Sequence, residues 1–153
     1  MTSSNSFYVN LFSNASREIY ENDTHADFTL KLSRPADLGK YPNWEVGVCA
    51  VSCSSPASLN TVDITPYADH AMIYCNLISP KFVGDSTLRC MRTFPTASFR
   101  HHEFRNVHYV PVEQRKFQSI RVEFLTLEGL HVPFKDSMTP TKLVLHFRKN
   151  YQW

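Results

Sequence analysis

Apolar and polar residues alternate with period two along most of this chain. That period belongs to extended strands with one buried face, because successive side chains on a strand point to opposite sides. In Phe7-Tyr8-Val9-Asn10-Leu11 the odd positions are apolar, and in Phe28-Thr29-Leu30-Lys31-Leu32 the even ones are, leaving Thr29 and Lys31 for water. Between these runs, residues 14–22 carry Ile19 and Tyr20 without a helical stripe, which predicts a structured loop or turn. Beyond Leu32, two prolines and Gly39 within 33–43 are expected to stop the ladder. From Trp44 to Cys53 the pattern sets Trp44, Val46, Val48 and Ala50 on one side and Val51, Cys49 and Cys53 on the other, predicting a central strand covered on both faces. Runs at 72–79, 88–94, 106–112, 119–127 and 142–148 continue the series, with Glu128-Gly129 as a turn signal.

About eight short strands, separated by proline-rich turns and with no convincing amphipathic helix, predict an all-β fold. The expected form is a single eight-stranded antiparallel jelly roll of two packed sheets, with little or no helix. Missing crossover helices exclude a parallel sheet. The 153 residues suit one domain over 1–153, with short arms at 1–6 and 149–153. The longest irregular connection, 54–69, is polar and holds Pro56 and Pro66; loops of that length are often functional.

Composition narrows the function. Hydrophobic residues make up 42% and aromatic ones 13%, which suits a packed β core. The formal charge of +2 is scattered without a basic stripe, so a specific nucleic-acid ligand is not expected. Residues 1–5 lack a secretory n- and h-region, and no run approaches a membrane span, so the expectation is a soluble protein with no membrane span. Cys49, Cys53, Cys75 and Cys90 lie in strand-like runs without a CxxC knuckle, which favours free buried thiols over disulfides or a zinc knuckle.

Candidate chemistry is sparse, and no catalytic residue or cofactor is expected. His101-His102-Glu103 has ligand-like side chains, but neighbours on a strand face opposite ways, so His101 and His102 do not reach one ion without a bulge. A nucleophile elbow and a phosphate-cradling glycine loop are both missing, since the 4 glycines are isolated. Arg89, Arg92, Arg100 and Arg105 interleave with Phe94, Phe99 and Phe104, a mixture that single-strand binders and protein interfaces share; alternation assigns the rings to the core and the arginines to the surface. A binding and assembly protein, not an enzyme, is the expectation.

Three segments carry a further resemblance. The first runs from Phe7-Tyr-Val-Asn-Leu-Phe-Ser-Asn-Ala-Ser16 through Asp27-Phe-Thr-Leu-Lys-Leu32 to Trp44-Glu45-Val46-Gly47. The second is Val107-His108-Tyr109-Val-Pro111, and the third is Ile120 to Pro133-Phe134 followed by Thr141-Lys-Leu-Val-Leu-His146-Phe147-Arg148. Together they resemble the single jelly-roll penton (minor capsid) proteins of Polinton/Maverick elements and their adintovirus and adomavirus relatives. The resemblance implies a structural capsid role in the virion: pentamers at icosahedral vertices, in contact with double jelly-roll major capsid proteins of the same particle. Ser3, Ser4, Asn5, Tyr151 and Trp153 would then belong to arms that touch neighbouring subunits. The alternative is a carbohydrate- or receptor-binding jelly-roll module, with its site in 54–69 or around Tyr41 and Trp44.

Overall fold

The computed structural model describes residues 5–16, 18–40, 43–53, 70–83, 86–95, 101–126, 129–132 and 140–150. All regular structure among them is strand: β1 (Ser6–Phe12), β2 (Asp27–Asp37), β3 (Asn43–Ser52), β4 (His70–Cys75), β5 (Lys81–Val83), β6 (Ser86–Leu88), β7 (Cys90–Pro95), β8 (His102–Glu103), β9 (Val110–Pro111), β10 (Lys116–Thr126) and β11 (Lys142–Asn150). One antiparallel sheet has the order β1-β11-β3, with β8 and β9 both on the far side of β3. The other has the order β2-β10-β4-β7, and β5-β6 forms a separate hairpin. Counting β8 and β9 as one interrupted strand, the two sheets hold four strands each among the described residues, and β1 and β11 lie side by side. This is a jelly-roll-like sandwich, and no helix occurs among the described residues.

Period two explains the core. Phe147, Leu145 and Leu143 on β11 are fully buried, as are Ile120, Val122 and Phe124 on β10, and the two rows face each other between the sheets. Phe147 stacks on Phe7 at 4.9 Å and on Phe117 at 6.0 Å, joining β1, β11 and β10 through aromatic contacts. Trp44 closes this end, 5.4 Å from Phe7, with its Nε1–H donating to the Leu38 carbonyl at 3.1 Å. A 6% exposed Trp44 is therefore a core residue and not a platform for a sugar, which removes that part of the alternative reading; Tyr41 and 54–69 lie outside the described residues.

Four local expectations need correction. The ladder does not stop at Leu32: β2 continues to Asp37 through Pro35, pairing Ala36 with Phe117 after a register shift between Phe117 and Ser119. Proline is tolerated there because β2 is an edge strand whose outer N–H positions face no partner in the sheet. On β3, Ala50 does not share a face with Val48. Leu145 pairs with Val48 and Val144 with Ala50, so Cys49 is an extra, bulged residue, and beyond it Val51 and Cys53 turn into the core that Val46 and Val48 already occupy. The run 106–112 is not a continuous strand; only Val110–Pro111 pairs with β3. Finally, Ser6, Lys149 and Asn150, expected in the arms, are in strands, and the Asn5 carbonyl accepts from the Lys149 amide at 3.0 Å.

Thiol chemistry reports this packing. Cys53, Cys75 and Cys90 are buried thiols, Cys49 is half-buried, and burial pushes the Cys75 thiol up to about 12. A neutral thiol reagent added to native protein is expected to modify Cys49 first among these four. Equal labelling rates before unfolding would contradict the burial assigned to the other three.

Candidate functional site

The outer face of the β1-β11-β3 sheet gathers the most side-chain chemistry in the fold. Alternation puts Tyr8, Asn10 and Phe12 of β1 on that face, next to His146 and Arg148 of β11 and then Glu45 and Gly47 of β3, because their neighbours in sequence fill the core. Cross-strand register sets Tyr8 opposite His146, His146 opposite Gly47, and Arg148 opposite Glu45. These residues are far apart in sequence, so the sheet ladder is what makes them a group.

The segment 104–109 crosses over this row at Gly47. A Cβ at position 47 would stand 2.9 Å from the His108 carbonyl oxygen and inside the Val107 side chain, so the crossing needs a residue without one. The segment is tied at its start by the Phe104 amide, which donates to the Cys49 carbonyl at 2.9 Å, and just beyond its far end by β9 and by the Val112 amide, which donates to the Trp44 carbonyl at 2.9 Å. Between these ties Tyr109 lies down on the sheet: its hydroxyl is hydrogen-bonded to His146 Nδ1 at 2.7 Å, and the Arg148 guanidinium covers its ring 3.5 Å from the centroid. Tyr8 stacks on the other face of the cluster, 4.4 Å from His146.

Charge is balanced inside the group. Glu45 is buried, at 8% exposure, and accepts from Arg148 Nε at 2.5 Å and from Asn150 Nδ2 at 3.2 Å, so neither carboxylate oxygen is left without a donor. Burial holds His146 below the ordinary histidine range, and the nearby Arg148 charge adds to that. Burial likewise pushes the Tyr109 phenol up, with Arg148 opposing. Both shifts favour the uncharged forms, a neutral imidazole hydrogen-bonded to a neutral phenol. The group offers hydrogen bonding, a charge pair and aromatic surface, which is recognition chemistry.

Most of the resemblance-derived residues fall into two sets. Glu45, Gly47, His108, Tyr109, Pro111, His146 and Arg148 meet at this face, with Pro111 paired to Glu45 on β9 and the His108 side chain exposed. Trp44, Val46 and Phe147 point the other way, into the core. Ser3, Ser4, Pro133, Phe134, Tyr151 and Trp153 lie outside the described residues. The pattern reading missed Tyr8, Phe12 and Asn150. An available signal was two aromatic rings on the water-facing side of β1, where Tyr8 is 63% exposed and Phe12 39% exposed.

Two other clusters are satisfied within the fold. His101 and Glu103 lie on one side, 3.2 Å apart, with His101 Nδ1 also 2.7 Å from Ser52 Oγ, while His102 packs on Phe104, as strand alternation requires. Asp27, Glu123 and His131 converge on the opposite sheet, but Arg121 sits between the carboxylates, 3.0 Å from Asp27 and 2.7 Å from Glu123. The guanidinium already supplies the cation there. Asp27 and Arg121 also border an open groove of about 500 Å³ with Tyr20, Asn22 and Thr29. Arg92 lies over the Phe104 ring, so its ring partner is spent inside the domain.

No protein-family model matches the sequence, and a search of curated proteins finds no match either.

Proposed function

We propose that this chain is a structural capsid protein, a vertex (penton) subunit that forms pentamers and contacts the double jelly-roll major capsid protein of the same particle. The carrying observation is the state of β1. Among the described residues it pairs only with β11, so its other edge is open. Asn5 bonds to Lys149 of β11 and Ser13 to Thr141 just before it, so the odd residues spend their backbone groups inward, and the N–H and C=O of Tyr8 and Asn10 face outward. The strand Ser6-Phe-Tyr-Val-Asn-Leu-Phe12 has no charge and no proline to block an added strand, whereas the edge strand β2 carries Lys31, Arg34 and Pro35. A bare edge beside exposed Tyr8 and Phe12 favours contact with a neighbouring copy of this chain, and a ring of such contacts closes without a catalytic site.

The resemblance of the Trp44-Glu-Val-Gly47, His108-Tyr109 and His146-Phe-Arg148 segments to penton proteins supports the choice of particle and of five-fold order. In this reading the protein works in the virion, at the capsid vertex, and is not an enzyme. A monomeric carbohydrate-binding module is the second reading, favoured by the polar groove around Tyr20, Asp27, Thr29 and Arg121.

Sedimentation at increasing protein concentration should reveal an oligomer, with five copies as its closed form. Replacing both Tyr8→Lys and Phe12→Lys should return it to monomer with the unfolding midpoint unchanged, because both side chains lie outside the core. A wild-type protein that stays monomeric at high concentration and is absent from purified particles would end the proposal; glycan-array binding lost in Arg121→Ala would favour the second reading.

A further inference from the structure

Segment 104–109 is held between its ties by two side chains: Arg92, which donates to the Asn106 carbonyl at 2.5 Å, and Tyr109, whose hydroxyl bonds His146 at the Gly47 crossing. We infer that His146 and this segment form an acid-sensitive latch, closed on β3 while the imidazole is neutral and lifted when the ring takes up a proton. Every element around the ring bears on the argument. From β1 comes the Tyr8 ring, from the crossing segment the Tyr109 phenol, and from β3 the bare backbone of Gly47, with Glu45 two residues away. From its own strand comes the Arg148 guanidinium, and the Cys49 thiol stands near Tyr109.

The only carboxylate in the group among the described residues, Glu45, is already bonded to Arg148 and Asn150. A proton on His146 would thus place a second positive charge in a cluster whose one negative charge is taken, and would do so under the cover of two rings. A protonated ring donates from both nitrogens, so the Tyr109 hydroxyl can then only accept from Nδ1. Whatever makes the closed state resist protonation makes a proton oppose closure by the same factor.

The direction follows. Closure depresses the His146 pKa below 6.5, so the latch holds fully above that value and weakens as pH falls through the closed-state midpoint. Between the two values the lifted fraction grows about tenfold per pH unit. The latch rests on the fold alone; its consequence, that acid remodels the assembly face beside Tyr8, rests on the function proposed above.

Nuclear magnetic resonance on the full chain tests both parts. In wild type the His146 ring should titrate with a midpoint below 6.5, and the Gly47 and Tyr109 amide shifts should follow with the same midpoint. In His146→Gln, whose side-chain carbonyl accepts from Tyr109 at every pH, those shifts should stay flat. In Tyr109→Phe the His146 midpoint should rise towards 6.5. A midpoint at or above 6.5 in wild type, or Gly47 shifts that titrate equally in His146→Gln, would overturn the latch. Sedimentation across the same pH range separates the two claims: a latch that opens while the oligomer persists overturns the assembly consequence and leaves the latch standing.

Discussion

Phe147→Ala is expected to cost about 3–5 kcal/mol, the range for removing a large aromatic ring from a packed core. The ring is fully buried and joins three strands from both sheets by stacking on Phe7 and Phe117, so the cavity would open at the centre of the sandwich, where both sheets are pinned. A domain of this size has about 5–15 kcal/mol of stability in all, so the variant would retain little. Phe147→Leu keeps most of the volume and should lose clearly less, which provides a folded comparison. Urea unfolding of the pair is the measurement. A loss below about 1 kcal/mol in Phe147→Ala, under the range for such truncations, would mean that the two sheets do not meet at this ring.

Gly47→Ala should destabilise by about 1–3 kcal/mol, the usual cost of forcing a methyl group into a filled space. The obstacle here is backbone: the His108 carbonyl oxygen would stand 2.9 Å from the new carbon, and a carbonyl cannot rotate away as a side chain can. Relief requires the 104–109 segment to lift. The substitution therefore has a second readout, because a lifted segment frees His146 from the Tyr109 hydroxyl and should move its titration towards the ordinary value. A fully stable Gly47→Ala protein with an unchanged His146 midpoint would show that the segment does not lie on β3. Since Gly47 closes the Trp44-Glu-Val-Gly47 run, the result also tells whether that run serves the crossing or only the strand.

The interior of the fold was largely legible along the chain. Phe7, Val9 and Leu11, Leu143, Leu145 and Phe147, and Ile120, Val122 and Phe124 alternate cleanly, and each trio faces the core. Alternation failed where the ladder itself is irregular. The bulge at Cys49 moves Val51 and Cys53 to the face opposite the one that strict counting assigns them, and nothing in Val48-Cys-Ala-Val51 marks the slip. The same holds for the shift between Phe117 and Ser119. Pro35 was read as a stop because its missing N–H matters inside a sheet; on an edge it does not, and edge or centre is a property of the assembled sheet.

The candidate site divides along the same line. Its residue types were visible in Glu45, Gly47, His108, Tyr109, His146 and Arg148, together with an aromatic at Tyr8 on a polar face. Their meeting was not. Sequence by itself determined that the regular structure is antiparallel strand and, where the ladder is regular, which faces are apolar, because hydrophobic burial acts through a local period of two. Tertiary structure alone decided that β11 lies between β1 and β3, so that Tyr8, His146, Gly47 and Tyr109 share one patch; strand order and register depend on contacts between residues distant in sequence, and a short-range pattern carries no record of them.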